Sequence, residues 1–461
     1  MKRSAYGFWL EEAGLPEALA TLRGDAASDV VIIGGGFLGL WTAWHLAESG
    51  ADVIVCEADV CGAGPSGRNG GFVETLWDRL ADMRQLFGDD GALRIARSSA
   101  KAIDHIAGWC QAQGVDAHMV MAPMLQVATS SRQEGCWSEA VGACHALGAG
   151  DEVQELDASG SRAICDSPTF RGGALWKTRA TVHPARLAGG LRARLLDRGV
   201  RIFERTRIIG LDDRPTFVRA RTSSGEILAR RAVLAINHAT VGVPPFHRAL
   251  SVASSSIVVT EPVPDLLEQL GWTGGESIVD CRTMLNYFRT TRDGRVVFGW
   301  AGGRMGLGAR RRPALDVDVG TQDAAVANLY EILPIFAGAR IEHAWGGPID
   351  VSPVHLPWFG TLRSTHYGFG FTGNGVGPTE LGGRILADLV MDRETENSTL
   401  PIVGGLPPKR FPAEPLRFIA GSVIRAAHIR RDRAHAAGRN TDPLTESLAA
   451  LPGLLGLHLP R

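Results

Sequence analysis

Residues 29–71 read DVVIIGGGFLGLWTAWHLAESGADVIVCEADVCGAGPSGRNGG, and the order of features in this stretch decides the fold. Asp29–Ile33 is an apolar run of strand type. Gly34, Gly36 and Gly39 then give G-x-G-x-x-G at the mouth of a helix opened by Phe37 and Leu38. Gly34 permits a tight turn, Gly36 lets backbone amides approach a pyrophosphate on the positive helix end, and Gly39 allows close packing of helix on strand. A second strand ends at Glu57 and Ala58, where a carboxylate accepts hydrogen bonds from a ribose diol. A strand before, a helix after and an acid at the right distance make this a dinucleotide site rather than glycine punctuation. Val30–Ala47 is long and uncharged enough to suggest a membrane span, but the glycines and the amphipathic strand after it argue against one.

Working outward, 461 residues allow two or three packed domains. A formal net charge of -1 and a pI near 6.9 exert no global pull toward nucleic acid or anionic membrane. The seven cysteines, at 56, 61, 110, 136, 144, 165 and 281, never take C-x-x-C spacing, so a reducing cytoplasmic setting is expected, with neither a disulfide framework nor a metal site. The N-terminus becomes acidic before any signal-length apolar run forms. Residues 1–27 read as an arm strapped onto the core through Tyr6, Phe8 and Trp9.

Leu80, Met83, Leu86, Leu93, Ile95, Ile103, Ile106 and Trp109 give residues 79–113 a helical apolar face. A helix over 185–198 precedes strands at 200–203, 207–211, 216–222 and 231–236, the last running into Asn237. Strands over 251–260 and 278–300 include a hairpin at Asp293–Gly294, and a helix covers 321–336. HAWGGPIDVSPVHLPWFG (343–360) leads to GNGVGPTELGGRILADLV (373–390), where a strand again ends in glycines that open a helix. From 401 onward nine Arg or Lys stand against four Asp or Glu, on a helix whose Leu416, Ile419, Val423 and Ile424 are expected to dock on the same chain.

With these blocks in this order, the chain resembles the D-amino-acid oxidase-like (DAO) superfamily of FAD-dependent amine and amino-acid oxidoreductases, in particular the gamma-glutamylputrescine oxidase-like branch. The resemblance covers about residues 28–395 and rests on the glycine unit, GAGPSGRNGG, VLAINHAT, and GGPIDVSPVHLPWFG with GNGVGPTELGGRILADL. It implies α/β plus α+β architecture: a discontinuous Rossmann-like FAD-binding domain (28–115, 175–245, 342–400) packed on a mixed antiparallel-sheet substrate domain (116–174, 246–341). A basic helical extension over 401–461 follows. By motif, Gly34, Gly36 and Gly39 would hold the pyrophosphate and Glu57 the ribose. Ser66, Gly67, Arg68, Asn69, Gly70 and Gly71 would follow the ribityl chain and isoalloxazine. Ile208, in a strand, would lie beside the adenine, with Asn237 at the return to the first sheet. Gly373, Asn374, Gly375, Val376 and Gly377 would face the flavin pyrimidine, where a helix dipole stabilises charge on the reduced ring.

The reaction so implied takes a hydride from the carbon beside an amine nitrogen, and water then hydrolyses the imine. The site must hold the amine neutral, because a protonated nitrogen has no lone pair to expel the hydride. An apolar, aromatic pocket lowers an ammonium pKa in that direction, with Tyr287, Phe288, Trp300 and Trp345 as candidate lining. Amino-acid-specific members commonly carry an Arg just after the glycines of WGGPIDVSP. Pro348, Ile349 and Asp350 stand here instead, which favours an amine over an alpha-amino acid unless Arg289 or Arg304 substitutes. The strand RVVFGW lacks the Lys that several oxidases use to promote reaction with dioxygen, so the electrons pass to O2 or to another acceptor. No Cys or His falls where relatives tether the flavin, so FAD is expected to be noncovalent. The expected catalytic set is Tyr287, Arg289, Trp345 and Asp350. A flavin hydroxylase would show Gly-Asp-Ala in place of GNGVGP, and a nicotinamide dehydrogenase would not need the second glycine loop. An oxidase or dehydrogenase of an amino acid or N-methyl amino acid, and a non-catalytic flavin scaffold, are the remaining alternatives. Small amines, and neither nucleic acid nor a stably inserted membrane, are the expected partners, with the oligomeric state open.

Overall fold

The computed structural model describes residues 1–310 and 312–454, so the last seven residues of the expected extension, 455–461, lie outside the described residues. The opening stretch builds the centre of an eight-stranded sheet. Ala26–Ile33 lies between Val53–Cys56 and Glu226–Leu234, all parallel, with Arg201–Phe203 outside Val53–Cys56. Thr365–Phe369 joins Glu226–Leu234 in parallel and pairs with Trp358–Leu362 antiparallel. Val30, Val31, Ile32 and Ile33 are buried, as strands covered on both faces require.

Phe37–Glu48 and Val376–Val390 pack helix to helix on this sheet. Their approach needs glycine: a Cβ on Gly383 would stand 2.6 Å from Trp41 Cβ, and one on Gly382 would stand 2.7 Å from the Phe359 ring. Glu380, buried in the second helix, ties the pair together through contacts at 3.4 Å to His45 and 3.6 Å to His105, with Arg384 on its other oxygen. Burial works to raise its pKa, but the hydrogen bonds from His105 and His45 and the charge of Arg384 outweigh this and hold the carboxyl at about 2. Leu80–Gln113 forms the expected long helix, kinked at Gly88, whose φ is +72°.

The second sheet has nine strands, running from Lys2–Arg3 through Ile341–Val351, Ser251–Thr260, Val296–Trp300, Asn286–Thr290, Ser277–Asp280, Met124–Val127 and Gly172–Trp176 to Val153–Asp157. The Asp293–Gly294 hairpin joins two of these, with Gly294 at φ +76°. The boundary expected at 341/342 falls inside this sheet: Ile341–Val351 pairs along Ser251–Thr260, and the chain returns to the first sheet only at Trp358. The N-terminal arm contributes an edge strand of its own, Lys2–Arg3 beside His343–Ala344, and a short helix, Gly7–Glu12, with Phe8, Trp9 and Leu10 buried.

Three further expectations fail for reasons of tertiary contact. Ile208 lies in an irregular segment before the strand Gly210–Asp213, not within a strand. Cys136 and Cys281 form a disulfide pair although 145 residues separate them, because the turn before Ser138–Ala146 is brought against the end of Ser277–Asp280. The C-terminal helix, Leu416–Ala436, does not dock through its aliphatic positions: Leu416, Ile419 and Val423 are 60%, 55% and 44% exposed. Polar side chains anchor it instead. The Asp432 carboxylate accepts from Met284 N at 2.8 Å, Arg417 donates to Leu250 O at 2.8 Å, and Arg425 donates to Gly302 O at 3.0 Å. No described helix is long and apolar enough to cross a membrane.

Candidate functional site

The glycine motif forms a cradle whose geometry excludes side chains. Gly34 has φ +112°, and a Cβ there would press on Ala235 O; one on Gly39 would collide with Gly34 O. Gly36 precedes Phe37–Glu48 with no capping side chain of its own, and Phe37 N donates to Ser66 Oγ at 2.8 Å, which joins the first glycine turn to the second loop. Phe37 and Leu38 point into the core, so only their backbone faces the turn. Glu57 ends its strand with Oε2 accepting from Gly35 N at 2.7 Å and Oε1 from Asp59 N at 2.8 Å. Burial nevertheless raises its pKa. Each carboxylate oxygen retains a second lone pair for a diol, and such donors would favour the ionised form. Ala58 beside it is exposed.

The loop from Ser66 to Gly71 is held in shape by its own asparagine. Asn69 Nδ2 donates to Ser66 O at 2.8 Å and its Oδ1 accepts from Gly71 N at 2.7 Å. Two indoles fix the loop from outside, Trp9 Nε1 on Asn69 O at 2.8 Å and Trp345 Nε1 on Arg68 O at 2.7 Å. Gly67 packs under Gly62 O, and a Cβ on Gly70 would lie 3.0 Å from the Tyr287 ring. Arg68 departs from its expected place along the ribityl chain: its guanidinium turns back to Asp316 at 2.8 Å and to Ala5 O, and only its backbone belongs to the loop.

The far wall of the cradle is the turn into Val376–Val390. Gly373 has φ +88°, and a Cβ on Gly377 would stand 2.5 Å from Glu74 O, so the two loops touch. Asn374 Nδ2 donates to Thr75 O at 3.2 Å while its Oδ1 is buried with no partner. Both helices begin without a side-chain cap, leaving amides available to an anionic or carbonyl group. An orphaned Asn oxygen, uncapped helix ends and glycines where a Cβ would intrude are the features a dinucleotide such as FAD would need, and Gly34–Gly39, Glu57, Ser66–Gly71 and Gly373–Gly377 are the residues that would hold it.

Three of the four expected catalytic residues do not stand open to a substrate. Asp350 is 1% exposed; its carboxylate accepts from Gly370 N at 2.5 Å and is further held by Phe371 N and the Asn237 side chain, while burial pushes it up to about 6. It therefore shapes the turn leading to Asn374, and Asn237, at φ +48°, serves that buried acid. Trp345 is fully buried among Phe8, Trp9, Ile257 and Val297. Arg289 is 3% exposed and donates to Gly71 O at 3.0 Å and Val182 O at 2.9 Å, with Trp9 5.2 Å below it. Burial lowers its pKa to about 9, so it remains charged near neutrality, and no described carboxylate lies within 4.0 Å. It clamps the glycine loop, a positioning role.

Of the proposed aromatic lining, Phe288 stacks on Phe298 behind the sheet and Trp300 joins the same rear cluster. Trp345 holds the loops from behind through Arg68 O, while Tyr287 faces them. It meets Phe72 edge-on at 5.6 Å and shares a 2.6 Å hydrogen bond with Ser255 Oγ, its own hydroxyl pushed up to about 12 by burial. Phe72 and Glu74 escaped the sequence reading although both lie within three residues of Gly71. The signal was the alternation of Phe72, Val73, Glu74 and Thr75, half-buried and buried in turn.

A fold of two large sheets and a small three-stranded one, with this cradle where the loops of the large sheets meet, is that of a flavin-dependent oxidoreductase. Residues 29–389 match the DAO family, described as FAD dependent oxidoreductase, and the chain belongs to it. It is 28% identical over 381 residues to the gamma-glutamylputrescine oxidoreductase of Escherichia coli (strain K12), spanning 80% of this chain and 85% of that protein. It is likewise 28% identical over 399 residues to the probable oxidoreductase OrdL of Rhizobium meliloti (strain 1021), covering 85% and 90%. Among solved structures, glycine oxidase from Geobacillus kaustophilus superposes with a TM-score of 0.67 at 20% identity, over 83% of this chain and 99% of that one. L-proline dehydrogenase from P.horikoshii gives 0.65 at 17%, over 83% and 96%.

Proposed function

We propose that this protein oxidises the C–N bond of an amine, with FAD held noncovalently in the cradle and the imine product hydrolysed by water. When bound, FAD supplies the two-electron acceptor, its N5 taking the hydride from the carbon beside the nitrogen. The chain's own residues hold that ring and exclude water. Asn69, Trp9, Trp345 and Arg289 fix the loop beneath it, Asp350 shapes the turn on its far side, and Phe72 and Tyr287 present an apolar face that favours the neutral amine.

The observation carrying the amine reading is the commitment of the two arginines that could have bound an alpha-carboxylate. Arg289 is spent on the carbonyls of Gly71 and Val182, and Arg304 is paired with Asp318. An amino acid in this pocket would bury its carboxylate without either partner. The 28% identity to a gamma-glutamylputrescine oxidoreductase supports the same class.

The test is anaerobic mixing of purified holoprotein with amines and with D- and L-amino acids while following the flavin band near about 450 nm. Bleaching by amines is expected; bleaching by amino acids alone overturns the reading. A colourless protein unresponsive to added FAD would remove the cofactor assignment. Acid precipitation should leave the yellow colour in the supernatant, as a noncovalent cofactor requires. Peroxide formed on readmitting air separates dioxygen from another acceptor; the all-buried Val296–Trp300 strand, without lysine, predicts slow reoxidation by air.

A further inference from the structure

The aliphatic residues that do not dock the C-terminal helix form an exposed face. Six of the fourteen large apolar side chains that stand exposed among the described residues fall within residues 416–454. Leu416, Ile419 and Val423 belong to Leu416–Ala436, and Leu444, Leu451 and Leu454 to the helix Pro443–Leu454 packed against it. Exposed apolar residues are ordinarily scattered singly, and a cluster of them marks a contact surface. Spacing of i, i+3 and i+7 puts the first three on one side of their helix, and Arg417, Arg425 and Asp432 hold the opposite side against the body of the protein. The helix is therefore fixed with its apolar stripe outward.

The same face continues into positive charge. Ala426, Arg430 and Arg433 follow Val423 at steps of three and four residues, and all three are exposed. With Arg425, Arg439 and Asp442 they line a groove of about 750 Å³ where this helix turns toward the next. Arg430 is met by Asp442 at 3.3 Å, while the side chains of Arg433 and Arg439 have no hydrogen bond or ion pair among the described residues. One acid against four arginines leaves the groove positive. Burial lowers the pKa of Arg425, and the like charges of Arg304 and Arg433 lower it further against the opposing charge of Asp318.

An aliphatic stripe that runs into unpaired arginines on one helix face is complementary to a surface that offers acyl chains beneath anionic phosphates. A second copy of the chain answers it poorly, because a two-fold contact sets the positive groove against itself. A nucleic acid would answer the arginines but leave the leucines in water. We propose that this face docks the protein on an anionic lipid surface, with Leu416, Ile419 and Val423 entering the acyl boundary and Arg430, Arg433 and Arg439 taking lipid phosphates. The helix lies in the interface without crossing it, and the contact is independent of the amine reading.

The test is co-sedimentation of the purified holoprotein with vesicles of phosphatidylcholine alone and with vesicles in which about a third of the lipid is phosphatidylglycerol. Wild type should bind the anionic vesicles at least about tenfold more tightly than the neutral ones, and should lose most of that preference as salt is raised toward about 1 M. Arg430→Gln with Arg433→Gln should lower partition into anionic vesicles by about thirtyfold, a factor of about five for each charge. Leu416→Ser, Ile419→Ser and Val423→Ser together should lower it by at least about tenfold. All five side chains are exposed, so both variants should keep the wild-type flavin content and unfolding midpoint, which separates a lost surface from a lost fold. No preference for anionic over neutral vesicles, or binding unchanged in either variant, overturns the proposal. A wild type that is dimeric by light scattering and ignores vesicles, with the triple serine variant monomeric, assigns the face to a second copy and overturns it as well.

Discussion

The glycine cradle and the face across from it are built on opposite terms. In the cradle nearly every polar group is answered nearby: Asn69 closes its own loop, Ser66 answers Phe37 N, and Glu57 takes two amides within two dozen residues of itself. On the opposite face, Arg289 is buried with backbone carbonyls and no described carboxylate within 4.0 Å, and Glu74 accepts no hydrogen bond among the described residues, with Asp78 and Arg179 as its charged neighbours. The first region is a finished scaffold that a cofactor completes. The second commits its buried arginine to backbone carbonyls of the glycine loop and its neighbour rather than to a counter-ion.

The sharpest way to break the cradle is Gly39→Ala. The added Cβ would meet Gly34 O, backbone against helix, so the turn must open; a cost of about 3 kcal/mol and loss of bound FAD on gel filtration are expected. Retention of stoichiometric FAD would show the turn to be more tolerant than its geometry implies. On the opposite face, Arg289→Met leaves Gly71 O and Val182 O without their donor at a cost of about 2–3 kcal/mol, read as a lower unfolding midpoint and weaker FAD binding. Should Arg289→Met instead abolish amine reduction with FAD affinity intact, the arginine would belong to the substrate rather than to the loop.

The helix pair behind the cradle gives a pH signature. Glu380 is held at about 2, below its ordinary 4.5, so its stabilisation is complete above about pH 5 and is lost as pH falls toward 2. Glu380→Gln should remove on the order of 2 kcal/mol near neutral pH, and the difference from wild type should shrink on acidification, as followed by denaturant unfolding at several pH values. The smallest effect is expected from Ser66→Ala, which removes a single amide partner between the two glycine loops: about 1 kcal/mol, seen as several-fold weaker FAD binding in a flavin titration.

The same contrast explains what the sequence revealed. Gly34, Gly36 and Gly39, the strand before them, the helix after and the Asp293–Gly294 hairpin are short-range features, dictated by φ, sterics and periodicity, and all are present in the fold. Asp350, Trp345 and Arg68 were misplaced because their roles depend on partners far along the chain. Arg68 turns to Asp316, 248 residues away, and Trp345 to the carbonyl of Arg68, 277 residues away. Pro348–Asp350 suggested an acid open to a cationic substrate, but Asp350 is buried. Asp350 lies where three donors converge, whereas Glu74, next to the glycine run, lies where none does. The aliphatic residues of the C-terminal helix mislead for a similar reason, since backbone carbonyls and amides of the second sheet's turns offered Arg417, Arg425 and Asp432 better purchase than an apolar groove.

The two indoles that grip the Ser66–Gly71 loop carry a consequence for the order of assembly. Trp9 comes from the N-terminal arm and Trp345 from Ile341–Val351, the strand next to the edge of the nine-stranded sheet, completed more than 270 residues after the loop has been synthesised. The glycine turn at Gly34–Gly39 can form as soon as its strand and helix do, yet the segment that would run beside the reactive ring reaches its final shape only after the distant sheet closes over it. Yellow colour acquired during refolding would therefore be expected to appear with the last long-range step, after the nine-stranded sheet has formed.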